Sequence, residues 1–193
     1  FKETVDTFYS SVDFPEGINM SFSSINLKGQ GFKETHILSF VSPSSQSLAN
    51  LRASLSGEKW ENYLDLVGPF VENVRVSAGN ATQVYNAEQF YPIGQVWSFK
   101  VKSKHVPQFS QAFAKLMQTF EAPGFVGLAN VTHGISNGEN LLIYGTYPNL
   151  NSAFTFGPKN ENEVKAFSVF NDLVGDISEF TQSWTRVLIK SYE

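Results

Sequence analysis

Two stretches of this chain, far apart in sequence, read alike. Ile37-Leu38-Ser39-Phe40-Val41-Ser42-Pro43 has the pattern of Leu142-Ile143-Tyr144-Gly145-Thr146-Tyr147-Pro148, with the two prolines 105 positions apart. The tetrapeptide Asp65-Leu66-Val67-Gly68 returns as Asp172-Leu173-Val174-Gly175, 107 positions on. A period this long is too great for a solenoid and suits a small domain written twice. The expected division is residues 1–82 and 83–193. Duplication constrains architecture far more than it constrains function.

The second copy has the cleaner pattern. Val96 to Lys102 alternates apolar and polar, the period of a half-buried strand. Lys104-His105-Val106-Pro107 opens a helix, with proline near the first turn. Phe109, Phe113, Leu116 and Phe120 then fall at i, i+4, i+7 and i+11, one apolar stripe. Strands are expected from Phe125 to Thr132, Leu141 to Thr146 and Thr181 to Ser191, and a helix from Glu163 to Ile177. On that helix Val164, Phe167, Phe170, Val174 and Ile177 are expected to face inward. The order is βαββαβ, the ferredoxin-like or split βαβ unit.

The first copy follows the same plan from its helix onward. Val5, Phe8, Tyr9 and Val12 form a shorter stripe. Strands are expected at Ile18–Leu27, Thr35–Val41 and Val71–Ala78, and a helix at Glu58–Phe70 with Trp60, Tyr63, Leu64 and Val67 inward. Residues 79–92 read as a linker. The first strand of the plan is missing ahead of Phe1. An empty slot in mid-sheet leaves backbone donors and acceptors unpaired. The favoured expectation is a longer chain; Val84 to Phe90 folding back, or a strand from another chain, are the alternatives.

Composition excludes several function classes. The chain has 193 residues, 41% of them hydrophobic, with 18 phenylalanines, enough to build a core. With 14 basic against 18 acidic residues the net charge is −4, which argues against nucleic-acid binding. No apolar run approaches the 18 residues of a membrane helix. The absence of cysteine excludes disulfides, thiolate metal sites and a cysteine nucleophile. His36, His105 and His133 lack metal-ligand spacing, so no metal is expected. Gly29-Gln30-Gly31 lacks the third glycine of a dinucleotide fingerprint. There is no nucleophile elbow. The compartment is left open.

The element order, the length of each copy and the duplication together resemble the dimeric α+β barrel superfamily, which includes the antibiotic-biosynthesis monooxygenases, EthD-like proteins and stress-responsive barrel proteins. The resemblance covers nearly the whole chain and rests on no diagnostic motif. It implies two tandem ferredoxin-like units packed sheet to sheet as an intrachain α+β barrel. A monomer with an internal pseudo-dimer is then expected over a homodimer. It implies a pocket between sheet and helices. Haem-degrading members carry a histidine ligand on a helix; no helix interior here has one, so no cofactor is expected.

Arg75 and Arg186 lie on the expected closing strands of the two copies. A strand arginine is costly unless paired or placed at a pocket, so each is a candidate contact for an anion or carbonyl. Trp97, Trp184, Tyr144 and Tyr147 are candidates for an aromatic pocket, and His36 sits at a strand start. The competing readings are a salt bridge between sheets or a solvent-facing position for the arginines, core packing for the aromatic residues, and a rim or cap position for His36. Lys100, Lys102 and Lys104 share a strand face, which places either Trp97, Phe99 and Val101 on the helix side or an open edge in the barrel. The residues point first to a barrel binding a small apolar or aromatic ligand, and alternatively to a cofactor-independent monooxygenase. Without a paired acid and base the sequence leaves open whether the protein is an enzyme.

Overall fold

Helix α1 (Lys2–Tyr9) leads into β1 (Asn19–Lys28), β2 (His36–Val41), α2 (Ser45–Ser54) and α3 (Glu58–Val67). Then come β3 (Ala78–Tyr85), β4 (Ile93–Val101), α4 (Val106–Met117), β5 (Val126–His133), β6 (Leu141–Tyr147), α5 (Leu150–Phe154), α6 (Glu161–Gly175) and β7 (Ser178–Tyr192). The computed structural model describes residues 1–72 and 74–193. Among them the fold is mixed α+β, and every strand pairing of described register is antiparallel. No helix is long and apolar enough to cross a membrane among these residues.

The chain divides into two units. One comprises Phe1–Ile25, Lys33–Val74 and Leu188–Glu193; the other comprises Asn26–Phe32 and Arg75–Val187. In the first unit, the stripe of α1 meets α3 and β1 as the periodicity requires. Val5, Phe8, Tyr9, Met20, Phe22, Tyr63 and Val67 are all buried. Phe8 stacks on Tyr63 at 4.2 Å between centroids. β1 pairs with β2 from Asn19 opposite Val41 to Ser24 opposite His36.

In the second unit the strand order is β7-β4-β6-β5-β3. The order of β7, β4, β6 and β5 is that of the split βαβ unit. Helices α4 and α6 cover one face of this sheet. Phe109, Phe113 and Leu116 from α4 and Phe170 and Val174 from α6 are buried against Val101, Val126, Leu128 and Leu141. Burying side chains of this size contributes roughly 1.5–3 kcal/mol each. At the α6 start the N-cap Asn160 Oδ1 accepts from the Glu163 amide at 2.9 Å, and Glu163 Oε2 reaches past the cap to accept from the Lys159 amide at 2.6 Å. Glu163 is only 4% exposed, and its carboxylate also accepts from the Glu121 amide.

Several expectations need correction. Part of the closing strand expected at 71–78 lies outside the described residues; among those described, 74–77 carry no strand and Ala78 opens β3. The residues read as a linker instead supply β3, which pairs with β5 on the outer edge of the second unit. β3 is almost wholly exposed, so it lacks the alternation that marks a half-buried strand. Helices α2 and α5 were not expected. Each starts directly after a landmark proline, with Ser44 or Asn149 as a side-chain N-cap. Val164 and Leu64 point outward, at 55% and 44% exposure; in α6 the inward place next to Val164 goes to the capping Glu163. Of the two options for the lysine stripe, the first holds. Trp97, Phe99 and Val101 pack on the helix side, while Lys100 pairs with Glu179 at 3.2 Å in solvent.

Candidate functional site

The sheet of the second unit separates the expected aromatic residues into two clusters. Strand alternation puts Ile93, Trp97 and Tyr147 on the helix side, where they pack with Ala153 of α5, Phe156 and Val187. On the opposite face lie Tyr144 and Trp184, both aligned with Val96, and Arg186, aligned with Gly94. Trp97 and Trp184 do lie on neighbouring strands, but their side chains take opposite faces.

On the helix side, Phe156 packs on Trp97 at 5.2 Å and on Tyr147 at 5.7 Å. The Tyr147 ring is 1% exposed. Its hydroxyl sits over Gly145, where an added Cβ would lie 3.4 Å from Oη and 3.6 Å from the Trp97 ring. Burial alone pushes this phenol above its ordinary value, and no described residue makes a hydrogen bond to it. It is not sealed off either: His36 Nε2 is the one fully enclosed side-chain nitrogen or oxygen without a partner among the described residues. Tyr147 thus offers a protonated donor with a vacant direction, beside an indole ring.

On the opposite face, Arg186 is 3% exposed. Its guanidinium donates to Tyr144 Oη and, at 3.4 Å, to the Pro92 carbonyl. It also lies 5.2 Å from the Phe90 ring centre and 5.5 Å from that of Tyr144, both in cation–π range. Burial raises the Tyr144 pKa, and Arg186 offsets this in part. A Cβ on Gly94 would lie 2.6 Å from Tyr144 Oη and 2.8 Å from Arg186 Nε. Glycine here is what lets the pair cross the strand. Sequence reasoning missed both Gly94 and Phe90. An isolated glycine inside an alternating strand was the available signal for the first.

Arg75 and His36 stand apart from both clusters. Arg75 is exposed on the segment ahead of β3, with its guanidinium 5.1 Å from the Phe32 ring. Phe32 in turn meets Trp184 at 5.9 Å. His36 belongs to the first unit, stacked on Phe22 at 5.5 Å and edge-on to Phe1 at 5.0 Å. Its Nδ1 faces Thr35 Oγ1 at 2.9 Å. Burial and then the Lys2 charge hold its pKa below the ordinary value. The unfolded chain therefore binds more protons than the folded one below about pH 6.5. Stability should fall as the pH drops through this window, and His36→Leu should flatten the fall. Urea midpoints at pH 5 and pH 7.5 check this; an equal drop in both proteins would contradict it. Among the described residues no group of three or more His, Asp or Glu is placed to hold a metal.

Three solved structures share this architecture. A protein from Fusobacterium nucleatum subsp. nucleatum ATCC 25586 with a provisional monooxygenase designation superposes with a TM-score of 0.64 at 12% identity, over 100% of this chain and 86% of that one. The chain shares the fold of that protein. An anthrone oxidase-like protein matches at 0.61 and 12% identity, over 98% of this chain and 84% of its own. A protein from Lactobacillus acidophilus NCFM, also provisionally designated a monooxygenase, matches at 0.61 and 13%, over 99% and 86%. At these identities the likeness speaks to fold alone. No family model and no curated protein matches the sequence.

Proposed function

We propose that this protein binds a small aromatic ligand on the helix side of the second unit's sheet, with Tyr147 donating to a ligand oxygen and Trp97 supplying the stacking surface. The observation that carries this is the Tyr147 hydroxyl: a donor on a buried ring, protonated and without a partner among the described residues. Phe156 fills the space over Trp97 and Tyr147, so a ring-sized ligand must move it. It stands on the α5–α6 connection beside Gly157, whose φ of 138° only glycine readily adopts. Tandem duplication fits this reading: α2 and α5 both start behind the repeated proline. A monomer that pairs two ferredoxin-like units internally remains our reading of its assembly.

A second reading, cofactor-independent oxygenation, is favoured by the designations of the three structural neighbours. One of them names the anthrone class. For such a substrate the balance is simple. One oxygen atom of O2 becomes the new carbonyl oxygen at the ring methylene, and the other leaves as water with the two methylene hydrogens, with no outside reductant. Tyr147 would hold the existing carbonyl and favour the enolate from which oxidation starts.

Tyr147→Phe tests the binding site. Anthrone affinity, read by Trp fluorescence quenching, should fall roughly tenfold, as expected for one lost hydrogen bond. Stability should stay within about 1 kcal/mol of the parent, because the hydroxyl has no protein partner to lose. Unchanged affinity, or a large stability loss, would contradict the assignment. Oxygen uptake with anthrone separates binder from oxygenase.

A further inference from the structure

Helices α4 and α6 leave a groove between them on the side turned to solvent. The helices run antiparallel: Phe109 and Phe113 meet Phe170, while Phe120 meets Phe167. Their large apolar residues close against the sheet. Beside those stripes the groove is lined by Ala112 and Ala166, whose short side chains cannot fill the space between two helices. The cavity measures about 430 Å³, within the range of small-molecule sites.

The lining is apolar at one end and cationic at the other. Leu116, Val169 and Phe170 complete the floor with the two alanines. Val169 is 44% exposed and Leu173, one turn on, is 38% exposed, so the apolar row continues toward the end of α6. The antiparallel run brings Lys115 and Thr119 of the α4 end together with Asn162 and Lys165 of the α6 start. Among the described residues neither lysine makes an ion pair or a side-chain hydrogen bond, not even Lys165 with Glu161 one turn before it. No carboxylate lines the groove among these residues. Glu163, close by in sequence, is turned inward onto the Lys159 and Glu121 amides. In a chain of net charge −4, two such cations beside an apolar floor reverse the local sign of charge.

We propose that this groove binds a straight-chain fatty carboxylate, its head between Lys115 and Lys165 and its tail along Ala166, Val169 and Leu173. Charge complementarity selects the anion, and ammonium–carboxylate hydrogen bonds are stronger than neutral ones. The shape selects a chain rather than a flat ring, because two rows of side chains border the groove along the helix axes. From Lys165 to Leu173 helix α6 rises about 12 Å, enough for an eight-carbon acid. Burial of the methylenes supplies affinity, and the lysine pair sets which way the chain points. The groove shares no residue with the Tyr147 cluster and does not depend on it.

The test is calorimetric titration with octanoate and with 1-octanol, which has the same chain and no charge. Octanoate should bind about tenfold more tightly than the alcohol. Lys115→Gln combined with Lys165→Gln should weaken octanoate to the level of the alcohol and leave the alcohol unchanged. Both lysines are exposed, so the double variant keeps the fold. Tyr147→Phe should leave octanoate binding unchanged. The proposal is overturned if acid and alcohol bind alike, or if the double variant keeps the parent's affinity for octanoate. It is also overturned if Tyr147→Phe weakens octanoate binding and so places the chain beside the sheet. Binding to phosphatidylglycerol vesicles without binding to free octanoate would overturn it too, by making this face a membrane-docking surface.

Discussion

Gly94→Val should lower the stability of the protein by about 3–5 kcal/mol, the sum expected when a buried charge-assisted hydrogen bond is disturbed and the site is overpacked. The cause is local. A Cβ at this position would meet Tyr144 Oη at 2.6 Å and Arg186 Nε at 2.8 Å. Neither end can simply swing away: Tyr144 accepts from Arg186, which also holds the Pro92 carbonyl and lies against two rings. Gly145→Ala is the control. Its Cβ meets only Tyr147 Oη at 3.4 Å and Trp97 at 3.6 Å or more, so a change within about 1 kcal/mol is expected. Urea unfolding of both variants checks the contrast. Equal losses would show that the Tyr144–Arg186 crossing is not held rigidly.

Phe109→Ala should cost about 3–5 kcal/mol, as a large ring removed from a packed core does. Phe109 is fully enclosed, against Phe99 at 5.2 Å and Phe170 at 5.7 Å. It therefore ties α4, α6 and β4 together, the elements that frame the helix side of the sheet. Val164→Ala, on the exposed face of α6, should change stability by less than about 0.5 kcal/mol. If the two losses were similar, the burial pattern of α6 and α4 given above would be wrong.

Helix α4 was legible because four apolar residues at helical spacing leave one possible inward face. The faces of β4 were partly legible: strict alternation put Trp97, Phe99 and Val101 on one face, and their placement on the helix side was one of two readings left open. Grouping Tyr144 with Tyr147 in one pocket ignored the same rule: residues three apart on a strand take opposite faces. The opposition of Trp97 and Trp184 was not legible, since it depends on the register that sets Val96 against Trp184. β3 escaped notice because an edge strand exposed on both faces carries no hydrophobic period. Arg186 was legible as a costly strand arginine. Its partners were not, because Phe90, Pro92 and Tyr144 reach it from a loop and from a strand that is not its neighbour.

The most direct test of the Tyr147 assignment is a crystal structure of the protein with 9,10-anthraquinone, an oxidised ring that binds without reacting. The account predicts the ring against Trp97, Phe156 displaced, and one quinone oxygen within hydrogen-bond distance, roughly 3 Å, of Tyr147 Oη. Clear density for the ligand elsewhere, with Phe156 still packed on Trp97 and Tyr147, would contradict it.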